Sequence, residues 1–213
     1  MADDQRPMTT DQFPRLYPIV DAVCFKDDAA LFRCAEELLA AGVTLLQYRN
    51  KQGSARQMLS HARELRRLAP SARLIMNDRA DLCLAADFDG VHVGQDDLSP
   101  ESVRKVVRKP LWMGVSTHNP EQLRLADASD ADYLAIGPVF RTSSKGNPDP
   151  VVGLEGVRAA RALTRKPLVA IGGITRANAR SVIDAGADSV AVISDLLQDP
   201  RRAVEEFLAT LND

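Results

Sequence analysis

Gln47, Arg49 and Lys51 alternate along the segment Leu45-Leu46-Gln47-Tyr48-Arg49-Asn50-Lys51, which begins apolar and ends in two cations. If Val43 to Lys51 is extended, Val43, Leu45, Gln47, Arg49 and Lys51 share one face, because side chains alternate along a strand. That profile suits a strand leaving a core for an anionic ligand. It also suits two exposed cations at a strand end, so the surroundings must decide. Asp78 and Asp97 add carboxylates further along the chain. Carboxylates beside several cations suggest Mg²⁺ bridging a polyphosphate, since Mg²⁺ takes a few carboxylates, waters and phosphate oxygens. Asp78 could instead cap the helix that follows it. Asp96 competes with Asp97, although strand alternation would turn it the other way if the strand geometry persists that far.

A second set of residues suits a monophosphate. Gly172-Gly173 and Ile193-Ser194 follow the last two apolar runs. Glycines let backbone N–H groups approach phosphate oxygens, and a helix N-terminus adds its dipole. Gly-Gly is also a common turn. The stretch from Pro138 to Gly153 is long for a connection and rich in Pro, Gly and Ser, as lids and binding loops are. Within it Thr142, Ser143, Ser144 and Lys145 offer hydroxyl and ammonium donors. His92, inside a strand, reads as a packed and hydrogen-bonded residue, whereas His118 sits at a strand end and is more open to chemistry.

The elements that must position these groups alternate. Strands are expected at Leu16 to Val20, Thr44 to Arg49, Leu74 to Met76, Gly90 to Val93, Leu111 to Val115, Tyr133 to Ile136, Leu168 to Ile171 and Ser189 to Val192. Helices are expected between them: from Asp27-Asp28 to Gly42, Ser54 to Leu68, Ala80 to Ala86, from Ser99-Pro100, from Asn119-Pro120 to Ala128, Leu154 to Leu163, Thr175 to Ala185 and Pro200 to Leu211. Eight strand–helix alternations with brief apolar strands predict an α/β fold, a single (β/α)₈ TIM barrel. A doubly wound sheet is the runner-up, but no G-x-G-x-x-G follows the first strand and no G-x-x-x-x-G-K-[ST] occurs. Barrel enzymes place their chemistry at the carboxyl ends of strands. Those ends here deliver Gln47, Arg49 and Lys51, then Asn77-Asp78, Gln95 to Asp97, Ser116 to His118, Thr142 to Lys145, Gly172-Gly173 and Ile193-Ser194.

Composition narrows the class. The 213 residues are 45% hydrophobic and 26% charged with net charge −2, so no bulk basic field draws nucleic acid. Arg63-Arg66-Arg67 and Arg104-Lys105-Arg108-Lys109 read as solvated helix faces. Cys24, Cys34 and Cys83 read as three buried thiols in a reducing compartment. Residues 1–14 read as a flexible leader before a barrel domain at 15–213, with no signal peptide and no membrane span. A cytoplasmic protein acting on small molecules is expected.

From Leu16 onward the chain resembles the thiamine-phosphate synthase family. The resemblance rests on Gln47 to Lys51, Asn77-Asp78, Val91 to Leu98, Gly114 to His118, Gly137 to Phe140 with Thr142 to Lys145, and Ile171 to Ile174. It implies a barrel that joins hydroxymethylpyrimidine diphosphate to a thiazole phosphate and releases pyrophosphate. By that resemblance Gln47, Arg49, Lys51 and Asn77 would hold the pyrimidine diphosphate, and Asp78 and Asp97 would hold Mg²⁺. Ser116 and Lys145 would contact the diphosphate; Arg49, Lys51, Lys145 and Ser116 would assist its departure. Thr142, Ser143, Ser144, Gly173, Ile193 and Ser194 would bind the thiazole phosphate. Tyr48 and Asn50, inside the first motif, are included among substrate-binding residues. Asn50 stands where an acidic residue is frequent, with its side chain expected to face away, and Ser144 replaces a more usual threonine. The resemblance favours a homodimer. A thiazole tautomerase using His118, or a non-catalytic phosphate-ligand sensor, are the alternatives on the same barrel.

Overall fold

Most helices open on a side chain that satisfies their first free N–H groups. Asp27 accepts from the Ala30 amide at 2.8 Å, Ser54 from Gln57 at 3.2 Å, Ser99 from Ser102 at 3.3 Å and Asn119 from Gln122 at 2.9 Å. Between them run short apolar strands. In the computed structural model, which describes residues 13–142 and 149–212, the order is β1 (Leu16–Asp21), α1 (Asp28–Ala40), β2 (Leu45–Arg49), α2 (Ala55–Leu68), β3 (Arg73–Asn77), α3 (Ala80–Ala85), β4 (Gly90–Val93) and α4 (Pro100–Val107). It continues with β5 (Trp112–Thr117), α5 (Pro120–Asp127), β6 (Tyr133–Ile136), α6 (Gly153–Leu163), β7 (Leu168–Ile171), α7 (Ala179–Asp184), β8 (Ser189–Val192) and α8 (Pro200–Asn212). The strands are all parallel and close in sequence order, β1 pairing β8 through Leu16 and Val190. This is the expected (β/α)₈ barrel.

Strand alternation divides the apolar residues into two layers. Tyr17, Ile19, Leu45, Ile75, Tyr133, Ala135, Val169 and Ala191 fill the barrel interior. A larger outer layer, including Leu46, Leu74, Val91, Leu134 and Val190, packs between strands and helices. Phe13, assigned to the leader on sequence grounds, is buried and stacks on Trp112 at 5.6 Å between ring centres, closing the floor. At that floor Asp89, Asp132 and Asp188 each precede an even-numbered strand. Each accepts a backbone N–H of the preceding strand (Leu74 at 2.7 Å, Met113 at 2.7 Å, Leu168 at 2.8 Å) and pairs with a helix arginine, Arg66, Arg104 or Arg161. Arg66 and Arg104 are therefore half-buried clamps, not members of a solvated face.

Other departures are local. β2 starts at Leu45, and Val43 lies in the outer layer because its amide closes α1 on the Leu38 carbonyl at 3.2 Å. α7 starts at Ala179 because the Asn178 side chain holds a turn, accepting from the Thr175 amide at 2.8 Å. Cys24 is exposed in a short 3₁₀ turn after β1, while Cys34 and Cys83 are buried; all are free thiols. No helix among the described residues is long and apolar enough to cross a membrane.

Candidate active site

The floor of the mouth is a chain of hydrogen-bonded side chains from five strands. Gln47 donates to the Tyr17 hydroxyl at 2.9 Å; that hydroxyl bonds the Tyr133 hydroxyl at 3.0 Å, which bonds His92 Nδ1 at 3.1 Å, and His92 Nε2 bonds Ser116 Oγ at 2.8 Å. Burial raises both phenols above their ordinary range, so both keep their protons. With each hydroxyl accepting on one side and donating on the other, His92 gives its Nε2 proton to Ser116. Ser116 then keeps its own proton for a ligand. Gly114 makes the contact feasible: a Cβ there would lie 2.2 Å from the Tyr133 ring and 2.4 Å from His92 Nδ1. His92 is the packed histidine expected, and it is also part of the cavity wall.

Above that floor, one side of the mouth carries the charges. Arg49 is paired with Asp21, which is 2% exposed, so the guanidinium is fixed at the end of β2. Lys51 pairs with Asp78. Asp78 does not cap α3, whose cap position is Arg79 without a side-chain bond. Its φ of 62° puts a non-glycine residue in the left-handed region, which costs strain and is maintained by surrounding structure. Burial raises the Asp78 carboxyl above its ordinary value; the Lys51 ammonium opposes this, and the Asp97 carboxyl adds to it. The two carboxylates therefore face one another. Asp97 is held by the Gly94 amide at 2.8 Å. β4 ends at Val93 and the chain turns, so strand alternation does not extend to Asp96, which also reaches the cavity wall.

The other side of the mouth is backbone-lined. Gly172 (φ 100°) and Gly173 (φ 65°) follow β7, and a Cβ on Gly173 would meet the Arg141 carbonyl at 2.5 Å. The connection after β6 lies against them, with the Phe140 amide bonded to the Gly172 carbonyl at 2.9 Å. A 3₁₀ turn, Ser194–Leu196, follows β8. The N–H groups that open such a turn have no partner within it. His118 bonds the Gly137 carbonyl through Nδ1 at 2.6 Å and lies 3.4 Å from Asp149 through Nε2, so it braces the β6 connection.

A cavity of about 480 Å³ joins the two sides. Its walls bring together Gln47, Arg49, Lys51, Asn77, Asp78, Asp97, Ser116, Thr142, Gly173, Ile193 and Ser194. Ser143, Ser144 and Lys145 lie outside the described residues. Tyr48 and Asn50 do not line this cavity: alternation turns Tyr48 outward onto α2, where it bonds His61, and the Asn50 side chain faces away as expected, bonding Tyr48. The residues missed by sequence reasoning are Asp21, Tyr17 and Tyr133. Asp21 continues β1 by one residue, and the parity of Tyr17 and Asp21 within an extended β1 was the signal available.

Comparison with known proteins adds a family. Residues 16–196 match the family model described as thiamine monophosphate synthase. A thiamine-phosphate synthase of Koribacter versatilis is 67% identical over 94% of this chain and 97% of its own, and one of Chloroflexus aurantiacus is 44% identical over 84% and 83%. A solved thiamine phosphate pyrophosphorylase from Pyrococcus furiosus superimposes with a TM-score of 0.83 at 35% identity, covering 93% of this chain and 95% of its own. The chain belongs to the thiamine monophosphate synthase family.

Proposed function

We propose that this transferase joins 4-amino-2-methyl-5-(diphosphooxymethyl)pyrimidine to a 4-methyl-5-(2-phosphoethyl)thiazole, or its carboxylate, at the barrel mouth, giving thiamine phosphate and pyrophosphate, with carbon dioxide also released from the carboxylate. The observation carrying this reading is that one cavity has a charged wall and a backbone-lined wall facing each other. The first suits a diphosphate and the second a monophosphate.

The reaction breaks the bond between the pyrimidine methylene carbon and the diphosphate oxygen. Both electrons leave with the oxygen, and the electron-rich ring stabilises the carbocation left behind. The thiazole nitrogen then donates its lone pair to that carbon, so no activated serine or cysteine is needed. Negative charge grows on the departing oxygen, and groups aimed at that charge lower the barrier. In this proposal Arg49, Lys51, Ser116 and Lys145 do so, with Ser116 donating the proton that the His92 contact leaves to it. Gln47 and Asn77 hold the pyrimidine substrate; Thr142, Ser143, Ser144, Gly173, Ile193 and Ser194 hold the thiazole phosphate.

Asp78 and Asp97 fit a Mg²⁺ site: both are hard oxygen donors, they face each other, and Asp78 carries a burial cost that a cation would relieve. No cluster of three or more such ligands occurs among the described residues. Mg²⁺ commonly takes only one or two carboxylates and completes its shell with water and substrate phosphate. When bound, the ion would neutralise charge on the diphosphate. A homodimer, implied by the resemblance, belongs to the same proposal, and light scattering tests it. Pure protein mixed with both substrates and Mg²⁺ is expected to release pyrophosphate and thiamine phosphate in equal amounts, and to stop when a chelator is added. Binding of both substrates without release would contradict the reading.

A further inference from the structure

Tyr48 and Asn50 sit inside the charged motif yet touch nothing in the mouth. Their hydrogen bonds form a separate set on the outer face of β2. Asn50 Oδ1 accepts the Gly53 amide at 2.7 Å and the Gln52 amide at 3.1 Å, which fixes the orientation of its amide group. Asn50 Nδ2 must then donate, and it donates to the Tyr48 hydroxyl at 3.2 Å. That hydroxyl also bonds His61 Nδ1 at 2.8 Å. Burial pushes the Tyr48 phenol up to about 12, so its proton stays available for that bond.

His61, on α2, is buried and gripped edge-on by Phe32 of α1 and by Tyr48, at 5.6 and 5.7 Å between ring centres. Its Nε2 lies 3.0 Å from Asp28 Oδ1, close but off the line of a hydrogen bond. The inner end is equally constrained. A Cβ on Gly53 would sit 2.4 Å from Asn50 Nδ2, so any larger residue there would displace the Asn50 amide. Lys51 lies inside this turn, between Asn50 and the two amides that Asn50 binds. Its ammonium is half-exposed and reaches Asp78 at the end of the neighbouring strand β3. A lysine has a flexible four-carbon stem, so the backbone beneath it decides where its charge can be placed.

We infer that the His61–Tyr48–Asn50 chain is a positioning device, anchoring the turn between β2 and α2 to the helix layer so that Lys51 is held towards the mouth. None of the three touches substrate; each acts through Lys51. The inference rests on the proposed role of Lys51 at the diphosphate. Small displacements of a catalytic group can cost up to a hundredfold in rate, and a side chain is held best when its own support is fixed by packing and hydrogen bonds.

The test is a double-mutant cycle between Tyr48→Phe and Lys51→Ala, with Asn50→Ala as a second, partly exposed entry to the same chain. Tyr48→Phe is expected to lower kcat/KM for the pyrimidine diphosphate about tenfold, an order drawn from the cost of misplacement. KM for the thiazole phosphate should stay unchanged. In the Lys51→Ala background neither Tyr48→Phe nor Asn50→Ala should cost anything further. Amide exchange at Gln52 and Gly53 should quicken in both single variants. A general loss of folding would instead impair both substrates and both backgrounds. Unchanged kcat/KM in Asn50→Ala, or an equal loss with and without Lys51, overturns the inference while leaving the role of Lys51 standing. Wild-type turnover by Lys51→Ala overturns that role, and the inference with it.

Discussion

The two ends of the barrel use the same residue types for opposite purposes. At the amino end, Asp89, Asp132 and Asp188 each meet a backbone amide and an arginine from a helix, so their charge is consumed within the protein. At the carboxyl end, Lys51 pairs with Asp78, and Asp97 lies beside that pair on one wall of an open cavity. The floor clamps join consecutive odd and even strands to the helix layer. The mouth places a strained Asp78 beside a second carboxylate, an arrangement that costs stability unless a cation completes it. Arg49 stands between these extremes: paired with buried Asp21, it is fixed like a clamp but lines the mouth like a ligand.

The largest predicted effect lies at the mouth. Lys51→Ala should lower kcat by about 10²–10³, the loss usual when one preorganised stabilising donor is removed. Its urea midpoint should stay close to wild type, because Lys51 is half-exposed and such pairs contribute little to stability. The floor should behave in reverse. Asp132→Ala takes the carboxylate from Arg104, which keeps only the Asp130 and Leu111 carbonyls, and removes the partner of the Met113 amide; it should cost about 2–3 kcal/mol in urea unfolding. Turnover per folded molecule should not change. A catalytic loss in Asp132→Ala as large as that in Lys51→Ala would erase the distinction between the ends.

Gly114→Ala, between the two regions, should mix both phenotypes. A methyl 2.2 Å from the Tyr133 ring must shift Tyr133 or His92, at about 1–2 kcal/mol for overpacking. The same shift disturbs the bond to Ser116, so kcat falls as well; unchanged kcat would detach the polar floor from the chemistry. The smallest effect belongs to Arg201→Ala, which breaks an exposed pair with Glu205 on α8. Neither its melting temperature nor its turnover should move measurably, and a clear change in either would show that charge matters regardless of place.

Strand order and the polar strand ends were legible in the sequence because a covered parallel strand is a short apolar run and its first polar residue marks the exit. That reasoning located Gln47, Arg49, Lys51, Asp78, Asp97 and the Gly172-Gly173 turn. It failed where partners are remote or backbone direction changes. Arg66 and Arg104 lay inside cationic runs, and nothing local pairs them with Asp89 and Asp132. Tyr17 and Tyr133 count as apolar in a periodicity reading, although their hydroxyls link Gln47 to His92. Asp96 would point away only if strand geometry persisted past Val93, and the chain turns there instead. Tyr48 and Asn50 were included by motif, yet parity alone turns Tyr48 to the outer face.

The most direct test of the division between the two ends is single-turnover pyrophosphate release with both substrates and Mg²⁺, run beside urea unfolding on Lys51→Ala and Asp132→Ala. The account predicts slow release with a wild-type unfolding midpoint for Lys51→Ala, and wild-type release with a lowered midpoint for Asp132→Ala. Wild-type release by Lys51→Ala would contradict it.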